Sequence, residues 1–264
     1  NDGTSCISAF AGVALLQSSS GYLISVNGST PAALIRDGKP VSASTYPGWA
    51  AIGATVINGV TNVLWRNGNT YLAWAVNAQG VYVTDSLTPK VIADNSLDFF
   101  RLEAQYGLDI NNNGVSAISV YGGVALLQSA TSYLISVNGG APVPFFFNIN
   151  GQPVSASTFP GITAIGATLV NGAINVLWRD GNAYFSWVLN DKQVFSNDGV
   201  SRTLVGTFDF FRLKGMFGPD ITNDGTSCIS AFAGVALLQS SSGYLISVNG
   251  STPAALIRDG KPVS

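Results

Sequence analysis

The sequence contains no histidine and a single methionine, and charged residues fill only 10% of its 264 positions. Without histidine the commonest general base and the commonest zinc ligand are missing, which excludes Ser-His-Asp, Cys-His and zinc-hydrolase chemistry. No enzymatic activity is expected. Twelve Lys plus Arg against fourteen Asp plus Glu leave a net charge of −2; the basic surface needed to neutralise phosphates is absent, so no nucleic-acid partner is expected. No apolar run reaches the roughly 18 residues of a membrane-spanning helix, and stretches such as Ile7 to Leu16 are broken by Ser and Gly. The carboxylates Asp85, Asp94 and Asp98 form no pair to which glycosidase roles can be assigned.

What is present is a chain that must fold. Hydrophobic residues make up 47% and the mean hydropathy is +0.31, which excludes intrinsic disorder. The segment Asn1–Ser42 recurs without change as Asn223–Ser264, an offset of 222 residues. A diverged copy begins halfway, at Asn112, where GVSAISVYGGVALLQSATSYLISVNGG aligns with GTSCISAFAGVALLQSSSGYLISVNGS. The period of 111 residues divides the chain into a module over 1–111, a second over 112–222 and the start of a third over 223–264. The pattern continues inside the modules, with Val63-Leu64-Trp65-Arg66 echoed by Val176-Leu177-Trp178-Arg179. The chain, which starts at Asn1, reads as a window of a longer array.

Within each module, short runs rich in Val, Ile, Leu, Tyr and Trp alternate with Asn-Gly or Asp-Gly pairs. Asn27-Gly28, Asp37-Gly38, Asn58-Gly59 and Asn67-Gly68 are the pairs that tolerate the positive φ of tight hairpins. The expected fold is all-β: tandem antiparallel β domains, as sandwich, barrel or propeller-like meander. LLQSSSGYLISVNG from Leu15 and VLWRNGNTYLAWAVN from Val63 have the same shape, so half-modules also look duplicated. Ser96–Tyr106 and Thr207–Phe217 place apolar residues at helical spacing and predict a short helical turn at each junction.

The junctions carry the one motif with chemistry in it. Asp109, Asn111 and Asn113, and again Asp220, Thr222 and Asp224, put oxygen side chains at positions one, three and five before Gly114 and Gly225, as calcium-binding loops do. Carbonyls of Val115 and Thr226 would complete the shell, and Glu103 could add a carboxylate from the preceding turn, whereas its counterpart Lys214 could not. With oxygen donors alone the expected ion is Ca²⁺. The equal alternative is an Asx-turn in which the same side chains cap their own backbone.

Modules of this length, with a Trp-bearing hairpin, the lead-in Glu103-x-x-Tyr106-x-x-Asp109 and the junction loops, resemble the tandem tryptophan-containing repeats of large secreted bacterial surface proteins. That resemblance implies an extracellular, calcium-rich setting and no catalysis. Asp109, Asn111, Asp220 and Asp224 match the family's junction; Thr222 and Lys214 depart from it.

Trp65, Trp74, Trp178 and Trp187 are expected as cross-strand core; the alternative is a stacking platform for sugar rings. Cys6 and Cys228 hold the same place in successive copies and are expected as free buried thiols, an inter-chain disulfide being the alternative. Asn27-Gly28-Ser29 and Asn249-Gly250-Ser251 fit a glycosylation sequon and a hairpin turn equally. Repetition with a neutral surface leads to the expectation of an extracellular or cell-surface structural repeat protein that self-associates into a filament, surface layer or adhesive stalk. The alternative is a multivalent carbohydrate-binding adhesin or lectin with glycans as partners.

Overall fold

A computed structural model describes residues 3–148, 151–218, 221–222, 224–259 and 261–263. The chain is all-β, with two helices of ten residues among the described residues and no closed barrel. It divides into two compact units, Asn1–Ala117 and Ile118–Ser264.

In the first unit, sheet I comprises Ser5–Phe10, Val13–Ser18, Gly21–Val26 and Ala32–Ala33, and sheet II comprises Ala50–Ile57, Val60–Asn67, Thr70–Val76 and Tyr82–Val91. Each is a four-stranded antiparallel meander in sequence order. The turns are the reason: Asn58 (φ 51°) with Gly59 (φ 78°) in sheet II, and Asn27 (φ 50°) with Gly28 (φ 74°) in sheet I, adopt the left-handed pair that matches strand twist. At Asn67-Gly68 only the glycine is left-handed. The two sheets face each other across one core, in which Val13, Leu15, Tyr22 and Ile24 of sheet I meet Ala54, Val63, Trp65, Trp74 and Val76 of sheet II. The valine, leucine and isoleucine side chains among them contribute about 1.5–3 kcal/mol each when fully buried.

The second unit repeats the plan. Sheet III (Val115–Tyr121, Val124–Ser129, Tyr133–Val137, Val143–Pro144) and sheet IV (Ile162–Val170, Ala173–Asp180, Ala183–Leu189, Phe195–Leu204) share a core of Val124, Leu126, Tyr133, Ile135, Val176, Trp178 and Trp187. Sheet V (Ser227–Phe232, Val235–Ser240, Gly243–Val248, Ala254–Ala255) is the third copy of the first meander.

Helices α1 (Leu97–Tyr106) and α2 (Phe208–Phe217) are longer than the single turn expected. Their starts follow local chemistry: the Ser96 hydroxyl accepts from the Phe99 N–H at 3.2 Å, and the Thr207 hydroxyl from Phe210 at 3.3 Å. Gly107 in the left-handed conformation (φ 61°) stops α1. The buried stripe of α2 explains why VLWR in sheet IV is apolar on consecutive positions. Val176 and Trp178 face sheet III, while Leu177 and Tyr184 join a second core with Phe210, Phe211, Leu213 and Phe217, which also takes in Cys228, Ala236 and Leu238 of sheet V.

Candidate functional site

At the first junction Glu103 lies near the end of α1 and is 1% exposed. Its Oε1 accepts the Ile110 N–H at 3.1 Å. Burial pushes its carboxyl up to about 7; the Ile110 and Ala117 N–H groups pull the other way, and Asp109 and Asp94 add to the rise. The loop itself is closed by its own side chains. Asp109 accepts from the Asn113 N–H at 3.1 Å and the Gly114 N–H at 2.8 Å, Asn111 Oδ1 from Asn113 at 3.2 Å, and Asn113 Oδ1 from the Val115 N–H at 2.8 Å. This is the Asx-turn geometry, with left-handed Asn112 (φ 55°) and Gly114 (φ 79°) turning the chain. Arg66 reaches from sheet II to donate to the Ile110 carbonyl at 2.8 Å. The structure therefore brings Glu103, Asp109, Asn111, Asn113 and Val115 into one short joint.

The second junction solves the same problem with the opposite charge. Lys214 stands in the place of Glu103 and is also 1% exposed. Its Nζ donates to both carboxylate oxygens of Asp224, at 2.8 and 2.9 Å, and to the Thr226 carbonyl at 2.7 Å. Asp224 further accepts from the Thr222 hydroxyl and the Thr226 N–H, each at 2.8 Å. Burial alone would raise the Asp224 carboxyl, but these bonds and the ammonium charge hold it below the ordinary range. Asp220 lies outside the described residues. Where the first module has Glu103 with Asn113, the second has Lys214 with Asp224, so the ammonium supplies a tethered cation among the loop oxygens. Sequence reading found Lys214 only as a missing ligand; the paired change Asn113 to Asp224 was the signal of its role. Among the described residues no three carboxylate or thiol groups converge, so a cation at either loop needs amide and carbonyl oxygens.

The four paired tryptophans are core. Trp65 and Trp74 sit diagonally across adjacent strands with ring centroids 4.4 Å apart, and Trp178 and Trp187 repeat the arrangement at 4.6 Å. All four are buried, so none offers a ring face for sugar stacking. Over the first pair lies Arg36, its guanidinium 4.7 Å from the Trp74 ring and 4.3 Å from that of Tyr82; in the second unit Phe147 takes this position against Trp187 and Phe195, at 5.6 and 5.3 Å. Both cysteines are free thiols, but Cys6 is exposed, against expectation, and Cys228 is buried. The difference arises because α2 covers sheet V where Cys228 sits.

Residues 13–116, from the second strand of sheet I through sheet II and α1 to the first joint, match the family model of the tryptophan-rich Synechocystis species C-terminal domain. No curated protein is similar to the chain. Among solved structures, the AfRom2 CNH domain is 11% identical, with 95% of this chain and 74% of that one covered at a TM-score of 0.23, an overlap too loose to support inference.

Proposed function

We propose that the chain is a non-enzymatic structural repeat protein of the cell surface or extracellular space, part of an array whose modules stack head to tail into a filament, surface layer or adhesive stalk. The carrying observation is a strand that is apolar on both faces. In Val13–Ser18 the first face is covered, with Val13 and Leu15 buried against sheet II while Ala14 and Leu16 are only half-buried. In the identical Val235–Ser240 the other face is covered, with Ala236 and Leu238 buried against α2. In the middle copy Val124, Ala125, Leu126 and Leu127 are all buried. A sheet that is apolar on both faces suits the interior of a stack and is poorly suited to a solvated face. Repeated heterologous contacts that fail to close generate open fibres, and a surface poor in Lys and Arg offers few cleavage sites to trypsin-like proteases.

Calcium belongs to this proposal at the first joint, on Asp109, Asn111 and Asn113 with the Val115 carbonyl and with Glu103 beneath. At the second joint Lys214 already occupies the Asp224 oxygens. Sedimentation and negative-stain electron microscopy of the purified chain test the assembly: concentration-dependent end-to-end particles are expected, and a chain that stays monomeric at high concentration sinks the reading. Scanning calorimetry with calcium or chelator tests the ion, with a calcium-dependent rise expected for the unfolding of the first unit.

A further inference from the structure

On the side of sheet II away from sheet I, α1 roofs a cavity of about 410 Å³. Its floor includes Asn62, Ala73 and Ala75 of the two central strands, and its roof Leu102, Gln105 and Tyr106 of the helix. No charged side chain lines it. Two polar atoms belonging to these lining residues lack a hydrogen-bond partner although buried: Asn62 Oδ1 and the Tyr106 hydroxyl. The Asn62 amide nitrogen is committed to the Val60 carbonyl at 2.8 Å, which leaves the oxygen as a spare acceptor. Burial raises the Tyr106 phenol pKa, keeping it protonated and able to donate. An unmet buried polar group is costly, a penalty that a ligand reaching beneath the side chains that cover these atoms removes by bonding to both.

The second module shows what the site looks like when it is not kept. It retains Asn175 at the Asn62 position but carries Ser186 and Val188 for Ala73 and Ala75, and Met216 and Phe217 for Gln105 and Tyr106. Larger side chains replace the two alanines in the floor, and the roof loses its hydroxyl. Space and polarity thus change together, within one fold.

We propose that this cavity binds a small neutral molecule, largely hydrocarbon, carrying one hydroxyl that donates to Asn62 Oδ1 and accepts from the Tyr106 hydroxyl. The size falls within the range of small-molecule sites, which are mostly apolar with a few placed polar groups. The absence of a lining charge excludes ionic ligands, since a buried unpaired charge is strongly penalised. The proposal stands independently of the assembly reading.

Phenol and toluene, equal in shape and differing by the hydroxyl, are the probes, titrated into the full chain while the methyl signals of Ala73, Ala75 and Leu102 are followed by NMR. Saturable shifts are expected with phenol, and weaker ones with toluene. Tyr106→Phe weakens phenol binding about fivefold, the loss of one hydrogen bond, and leaves toluene unchanged; Ala75→Val abolishes both. Phe217 and Val188 already stand at these positions in the second unit, and unshifted methyl signals of Val63 and Val76, in the core on the opposite face of sheet II, report that the altered first unit folds. Methyl signals that do not move at millimolar phenol, equal affinity for the two probes, or binding that survives Ala75→Val would each overturn the proposal.

Discussion

Glu103 and Lys214 occupy one helical position in two modules, each 1% exposed, and their opposite charges set opposite responses to pH. The Glu103 carboxyl is raised to about 7 by burial, so the folded unit holds a proton that the unfolded chain releases near the ordinary value of about 4.3. Its contribution is complete below that value and is lost as pH climbs to about 7. In chelator, the first unit is therefore expected to lose up to a few kcal/mol between about pH 4.5 and 7. Glu103→Gln should flatten that slope, and urea titrations across the range provide the check. Asp224 behaves conversely: its lowered carboxyl gives stability that is present above the ordinary aspartate value and lost only in stronger acid. At the core, Trp74→Ala should cost about 3–5 kcal/mol, read as a shift of the urea midpoint. An unchanged midpoint would return Trp74 to the role of a surface binding residue.

At the scale of elements, the helix-loop joint is the unit in which sequence differences must be read together. Glu103→Lys alone would bury an ammonium opposite the neutral Asn113, while the Asp109 carboxylate stays committed to the Asn113 and Gly114 N–H groups. Adding Asn113→Asp recreates the arrangement in which Lys214 bonds both Asp224 oxygens. The pair should therefore be coupled: the double variant is expected to recover about 0.5–3 kcal/mol beyond the sum of the singles, measured as a double-mutant cycle by urea unfolding. Simple additivity would mean that the Lys214–Asp224 contact contributes nothing at the joint. The helix starts at Ser96 and Thr207 and the hairpin at Asn58-Gly59 were readable from local chemistry, because caps and tight turns are decided within four residues of chain. The Lys214 bonds to Asp224 and Thr226 were not. They span ten and twelve residues, a separation at which residue type alone does not say who meets whom.

Across the whole molecule, the repeated 42-residue segment is an internal experiment in what a sequence can decide. Both copies form the same strands in the same register, with Cys6 opposite Leu16 and Val13 opposite Val26 in one, and Cys228 opposite Leu238 and Val235 opposite Val248 in the other. Even the irregularity after Cys6 recurs after Cys228. Their chemistry nevertheless differs. Cys6 is exposed, while Cys228 is buried and its thiol pKa is raised by burial, so Cys6 should react with a thiol reagent much faster than Cys228 in the folded chain of 264 residues. Peptide mapping separates them, since tryptic cleavage after Lys214 places Cys228 in a different peptide, and equal rates would show that α2 does not protect Cys228. The sequence by itself determined the hairpins, their register and the two-faced apolar strands, because side-chain alternation and left-handed turn residues act between neighbours. Only the tertiary structure decided which face is buried, which thiol is hidden and which buried charge finds a partner. Those outcomes depend on what packs against the sheet, and two identical segments have different surroundings.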